Sequence, residues 1–359
     1  MNRLKNTITA LSHEFGTADY VRGGGGNTSV KNADTLWVKP SGATLGGMRP
    51  EDFVPMSRRK LAELYTCTPP ADPAAREAMV KKIMTGAVLG GHGGRPSVEA
   101  QLHDSFEATY IVHTHPTFVT GLLAAAAGAS ACRGMFPEAL WLDYADPGYT
   151  LSMACRKAME EYADAHGHQP DTVFLQNHGV FIAGDNPDDI RRIYQRIMDA
   201  LAGAYAEAGI PTDPAIGPRP SAARVETVSA MLREAMGAAA AHVRAAGSFD
   251  VAEGPISPDH IVYSGSFSLG GEPTAEALSA FREKHGRAPR VVATAEGVFG
   301  IGATERQAAM ALEFAEDGAL VRRLAEAFGG VRYMDENAWR FIESWEGEAY
   351  RARVAFGDQ

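Results

Sequence analysis

Apolar positions recur at helical or strand spacing along most of the chain, and the pattern switches repeatedly between the two. Leu4, Ile8 and Leu11 form one stripe, predicting a first helix over about Leu4 to Glu14. Short β-rich runs near Ser29–Val30 and Thr35–Val38 predict strands, and helices follow near Arg58–Leu64 and Pro73–Val80. Tyr110-Ile-Val-His-Thr-His-Pro116 reads as a strand ended by its proline, with a helix through Phe118–Ala127 after it. Asp143 to Leu151 is a loop entering another helix. Thr172 to Ala183 is a hairpin of two apolar strands around a polar turn, and it leads into a long helix over Pro187 to Ala208. Alternating strands and helices predict an α/β layer fold.

The pattern breaks at Gly209 to Pro220, whose Pro and Gly density reads as a linker. It divides the chain into residues 1–208, the linker 209–220 and a smaller α/β region 221–359. The last contains an echo of the first. Asn177-His-Gly-Val-Phe-Ile-Ala-Gly184 resembles Ala295-Glu-Gly-Val-Phe-Gly-Ile-Gly302, each between an apolar strand and a helix. Convergence on a common hairpin explains this almost as well as duplication, but the ungapped Gly-Val-Phe-x-x-Gly tips the reading to a degenerate copy. The second copy has Glu296 in place of His178 and no His-x-His before it, so it is expected to be metal-free, with His260 and His285 as packing or solvent histidines.

In a strand, residues i and i+2 share a face, so His113 and His115 present two imidazoles together. That is half of a divalent metal site; two ordinary histidines at a strand end is the competing reading. His178, on a Gly-containing turn between apolar strands, is the third candidate. Glu99 is the fourth: Pro96 and Ser97 look like a helix start, which puts Glu99 in the first turn. His103, one turn later, reads as structural beside Leu102 and Phe106. Three imidazoles and a carboxylate suit catalytic zinc.

Three segments look able to hold an anion: Gly23-Gly-Gly-Gly-Asn-Thr-Ser29, whose glycines let backbone N–H groups approach a ligand; the turn at Ser41 and Gly42; and Arg95-Pro-Ser97. A flexible hairpin loop is the plainer reading of the glycine run. No segment fits the P-loop or the dinucleotide fingerprint, which argues against ATP and NAD.

Gly26-Asn27-Thr28-Ser29, Lys39-Pro40-Ser41-Gly42, Ser97-Val98-Glu99, His113-Thr114-His115 and Asn177-His178-Gly179, in that order, resemble the class II aldolase/adducin family over roughly the first 210 residues. The resemblance implies a three-layer αβα domain with a mostly antiparallel central sheet. It implies that His113, His115 and His178 bind a divalent metal, usually zinc, that Glu99 is the catalytic acid/base, and that Asn27, Ser41, Gly42 and Ser97 hold a substrate phosphate. Sugar-phosphate aldolases often have two serines before the glutamate. Val98 takes the second place here, and Arg95 is the expected compensation. Pro258 to Tyr263 and the 290–302 stretch are similar to the aldolase portion of long bacterial proteins that fuse this domain to a short-chain dehydrogenase, which are associated with rhamnulose-1-phosphate-type chemistry.

With 359 residues the chain is long enough for two domains, and its composition is that of a soluble globular protein. A net charge of −10 gives no basic footprint for nucleic acid, so an anionic substrate needs a local positive site such as Lys39, Arg95 or a metal. Cys67, Cys132 and Cys155 form no paired motif and read as free thiols in a reducing cytoplasm. The first residues carry no apolar signal core, and the Ala-rich Leu122–Ala131 is too short for a membrane span. A homo-oligomer is expected, and the sequence does not name the sugar, because specificity depends on loops and on a neighbouring subunit.

The first functional expectation is a metal-dependent aldolase acting on a ketose 1-phosphate, giving a ketone like dihydroxyacetone phosphate and an aldehyde. Glu99 would shuttle the proton at the enediolate carbon, and Tyr144, from the polar loop after Trp141-Leu-Asp143, would serve the aldehyde-side oxygen. An ordinary surface aromatic is as good a reading of Tyr144. An epimerase, dehydratase or decarboxylase of a phosphorylated sugar or sugar acid would use the same site. A non-catalytic binding protein with a structural metal is the third alternative.

Overall fold

The computed structural model describes residues 2–356. The first 207 residues form α1 (Asn2–Glu14), β1 (Asn27–Lys31), β2 (Thr35–Val38), β3 (Val54–Ser57), α2 (Arg58–Leu61), α3 (Glu63–Thr66), α4 (Pro73–Ala87), α5 (Ala100–Ser105), β4 (Tyr110–Thr114), α6 (Thr117–Leu123), α7 (Gly128–Met135), β5 (Leu140–Leu142), α8 (Tyr149–His166), β6 (Thr172–Leu175), β7 (Gly179–Gly184) and α9 (Pro187–Glu207). The seven strands make one sheet in the order β3-β2-β1-β4-β7-β6-β5, antiparallel except for the β5–β6 pair. Alternation decides which face each residue takes. Tyr110, Val112, Phe174, Val180 and Ile182 pack with residues of α1, α6 and α9. Ile111, Val173, Leu175, Phe181 and Ala183 pack with residues of α5 and α8 on the other face. Helices on both faces of a mostly antiparallel sheet are the expected three-layer build.

The C-terminal part contains α10 (Ala222–Met236), β8 (His242–Ala246), α11 (Pro258–Ser264), β9 (Leu269–Gly270), α12 (Ala275–His285), β10 (Val291–Thr294), β11 (Gly297–Gly302), α13 (Glu305–Ala325), α14 (Glu336–Ser344) and α15 (Glu346–Phe356). Its sheet has the order β8-β11-β10-β9. The echo in the sequence is an echo in structure at one level. β6, β7 and α9 have 4, 6 and 21 residues, and β10, β11 and α13 have the same three lengths. Glu296 faces solvent and pairs with Arg224, whereas His178 is buried.

Several elements depart from the sequence pattern. The helix expected over Phe118–Ala127 ends early, as α6 at Leu123, and α7 begins only at Gly128. The amides of Ala126 and Ala127 donate to the Gly330 and Phe328 carbonyls, and Arg332 N donates to Ala124 O, so partners from the C-terminal part replace helical ones. Strands β3 and β5 were not foreseen; β5 is three residues long and only half-buried. The helix expected to start at Pro96 starts at Ala100, which puts Glu99 just before it rather than in its first turn. Pro96 instead bridges Pro40, and Ser97 N donates to Lys39 O. No helix among the described residues is long and apolar enough to cross a membrane.

Candidate metal centre

His113 lies near the end of β4, between Asn27 on β1 and Phe181 on β7. Its ring stacks on Phe181 at 3.9 Å between centroids. His115 follows just beyond the strand, where its amide donates to Tyr20 O at 2.9 Å. His178 sits in the β6–β7 turn. Asn177 before it takes a left-handed φ of 53°, a conformation that Asn tolerates better than most residues. Gly179 after it has no room for a side chain, because a Cβ there would meet His115 Cδ2 at 2.4 Å and Thr114 O at 2.7 Å. The turn therefore presses His178 against the other two imidazoles.

The three histidines offer ligand atoms that all lie within 4.8 Å of one another. Their protonation follows from their partners. His113 Nδ1 meets the Val180 carbonyl at 3.0 Å, and a carbonyl only accepts, so that nitrogen carries the proton. His115 Nδ1 donates likewise to Asp259 Oδ2 at 2.5 Å. Both Nε2 atoms then bear lone pairs, and they face each other at 2.9 Å. Burial pushes His113 well below the ordinary histidine range, so it does not relieve the repulsion by taking a proton near neutral pH, and burial pushes the neighbouring His178 down to about 3. Glu99 Oε1 lies 3.6 Å from His113 Nε2 and 3.5 Å from His178 Nε2. It is buried without a hydrogen-bond partner, while Oε2 accepts from Asn27 Nδ2. Converging lone pairs beside an orphaned carboxylate oxygen fit a divalent cation of the zinc class.

The anion segments converge next to this cluster. Asn27, Ser41, Gly42, Ser97, Lys39, Glu99 and His178 line one cavity with Gly24, Val98, Pro147, Gly347, Glu348 and Arg351. Ser41 N donates to Arg95 O at 2.9 Å, and Ser97 Oγ accepts from Glu99 N at 3.2 Å. Lys39 is buried and donates to Ala43 O at 2.6 Å. Burial, with Arg351 nearby, pushes its ammonium down to about 7. The free space is only about 20 Å³, room for a single water. A wider cleft of about 520 Å³, around Ser248, Asp250, Arg322 and Arg323, shares no lining residue with it.

Two expected site residues are placed elsewhere. Arg95 does not line the cavity; its guanidinium makes a two-pronged bond to Glu346 at 2.9 and 2.8 Å and lies over the Tyr350 ring. The Tyr144 hydroxyl donates to Asp146 at 3.2 Å, and the ring packs with residues of α11 and α14. Conversely, four side chains of the C-terminal part reach the site; Asp259 and Tyr263 lie in the Pro258–Tyr263 stretch that the sequence singled out only as a resemblance, and Glu348 and Arg351 carry no local signal. Asp259 holds His115, and its other oxygen meets Arg351 Nη2 at 2.7 Å. Arg351 Nε meets Glu348 at 2.6 Å. The Tyr263 hydroxyl accepts from Gly24 N at 3.1 Å. Burial pushes the Asp259 carboxyl up, but Arg351 and His115 more than offset it and hold it well below the usual range.

Residues 6–202 match the model of the class II aldolase and adducin N-terminal domain. An uncharacterized oxidoreductase of Bacillus subtilis is 25% identical over 191 residues, covering 50% of this chain but only 26% of that protein. A methylthioribulose-1-phosphate dehydratase of Arthroderma otae is 26% identical over 207 residues, covering 51% of this chain and 76% of its own length. The N-terminal class II aldolase domain of a Thermoplasma acidophilum protein superposes with a TM-score of 0.46 at 22% identity, over 55% of this chain and 91% of that one. The match runs over more than half of the chain and contains the imidazoles, Glu99 and the anion segments, and the protein belongs to the class II aldolase/adducin family.

Proposed function

We propose that the protein is a metal-dependent lyase acting on a ketose 1-phosphate, with aldol cleavage and formation as its reaction. The observation that carries this reading is Glu99 Oε1, buried and unpartnered between the Nε2 atoms of His113 and His178. A divalent cation, zinc by preference, held by His113, His115 and His178 would supply Lewis acidity to the substrate carbonyl. Asn27 holds one oxygen of Glu99 so that the other points into the site, ready to take or return a proton beside that carbonyl. We assign the phosphate to the backbone around Gly42 with Ser41, Ser97 and Asn27, with Lys39 adding positive potential; the present space of about 20 Å³ holds one water, so α15 has to move aside to admit it. We assign no step to Tyr144. The neutral pair His113 and His178 needs no deprotonation before receiving a cation.

Dehydration is the second reading, favoured by the similarity to the Arthroderma dehydratase. Aldol formation and dehydration both begin with proton removal from a carbon next to a carbonyl, and aldol cleavage ends with the reverse proton transfer, so one site serves either reading. Incubation of zinc-loaded protein with dihydroxyacetone phosphate and a panel of aldehydes tests the first reading, with new ketose phosphates as the expected product. Loss of water from methylthioribulose 1-phosphate, with no aldol product, would select the second. No turnover of either substrate by loaded protein overturns both. We expect a cytoplasmic homo-oligomer, which light scattering on the purified protein checks for its assembly state.

A further inference from the structure

We propose that Asp259, from the C-terminal part, is a positioning residue of the metal centre, so that the site is built by both parts of the chain. The inference rests on the metal reading of the three imidazoles. Asp259 Oδ2 accepts from His115 Nδ1 at 2.5 Å, which selects the tautomer whose Nε2 points at His113. A carboxylate on the far nitrogen fixes a ligating ring's orientation and raises its basicity. The competing account is an ion pair with Arg351 that merely passes near His115. The geometry divides the carboxylate instead: Arg351 takes Oδ1 at 2.7 Å and leaves Oδ2 to the imidazole. The strand-side backbone also closes over this bond. A Cβ at Gly25 would lie 2.5 Å from Asp259 Oδ2 and 3.2 Å from His115 Nδ1, so the loop's lack of a side chain there leaves room for the bond.

The helix that carries Asp259 is anchored independently. Ser257 Oγ meets His260 Nδ1 at 2.8 Å, and His260 Nε2 faces Asp317 at 3.2 Å. Asp317 accepts in turn from Thr117, at the start of α6, and pairs with Arg22 at 2.7 Å. α11 is thus held against the segment just after the His-x-His strand whether or not Asp259 is present. Asp259→Ala therefore removes the hydrogen bond without removing the helix from its place. Metal binding and the order of α11 become linked, and linkage is reciprocal.

Zinc affinity of the full-length chain, measured by competition with a chromophoric chelator, tests this, alongside the visible spectrum of the cobalt-substituted protein. Asp259→Ala should weaken binding roughly 10- to 100-fold and alter the cobalt spectrum, with Asp259→Asn, which keeps an acceptor but loses the charge, in between. Wild-type affinity and spectrum in a folded Asp259→Ala protein overturn the inference while leaving the three-histidine site standing. A wild-type chain that binds no cation overturns both. Should the variants fail to fold, hydrogen exchange of the wild-type chain decides: zinc should slow exchange of the amides of residues 259–264, and unchanged exchange in zinc-loaded protein overturns the inference.

Discussion

Glu99 has two oxygens with different fates, and a single substitution separates them. Glu99→Gln keeps a side chain able to bond Asn27 but cannot carry the proton. Turnover should fall roughly 10²-fold or more with metal content retained; near-normal turnover in loaded protein would remove Glu99 from the mechanism. His113→Ala and His178→Ala should each lose metal by elemental analysis. The same imidazoles make the metal-free protein sensitive to acid. Burial lowers the pKa values of His113 and His178 below the unfolded value of 6.5, for His178 to about 3. Between these values the unfolded chain binds protons that the folded chain does not, so stability falls as pH falls. The slope approaches about 1.4 kcal/mol per pH unit for each imidazole. Urea midpoints of metal-free protein at pH 7 and pH 5 should show it, and His178→Gln should reduce it. The His-x-His pair was legible because strand geometry is local. Asp259 was not, because 144 residues separate it from His115 and no spacing rule reaches that far.

At the scale of elements, α15 covers the anion segments. Arg95, expected to bind phosphate, is taken by Glu346 at the start of this helix. Gly42 has φ +83°, and a Cβ there would meet Val354 Cβ at 2.5 Å. Gly42→Ala should therefore strain the turn by roughly 1–3 kcal/mol and push α15 outward. The expected result is a lower melting temperature with faster tryptic cleavage at Arg351 and Arg353; an unchanged digest would show that the helix adapts in place. Strands β2, β4, β6 and β7 were readable as short, nearly continuous apolar runs, the mark of strands buried on both faces. The gap between α6 and α7 was not readable, because it arises where the 328–332 backbone satisfies amides and a carbonyl that a continuous helix would have paired internally.

Across the whole molecule, the two parts share a core. Leu324 of α13 packs in the same cluster as Ile8, Leu122 and Tyr205, and Asn177 Nδ2 donates to the Ile256 and Arg332 carbonyls, both at 2.9 Å. Arg22 bridges the parts through Asp317, whose side chain is 6% exposed. Arg22→Ala leaves that carboxylate short of a partner and should cost about 3 kcal/mol, read as a shift of one cooperative urea transition monitored in both parts. Two separate transitions would show that the parts unfold independently. The matching lengths of β6–β7–α9 and β10–β11–α13 support our reading of the C-terminal part as a degenerate copy, although its chemistry-bearing residues lie on α11 and α15, outside the copied unit. The sequence alone determined the layer build and the hairpin-to-helix units and marked His113, His115, His178 and the candidate anion-binding segments, because each depends on short periodic spacing or backbone freedom. Only the tertiary structure decided that Asp259 orients His115, that Glu346 takes Arg95 and that α15 roofs the cavity. Those contacts join segments far apart in the chain: the buried charge of Asp259 has to find partners once the two parts are packed together, and packing α15 over the site brings Glu346 to the partly exposed Arg95.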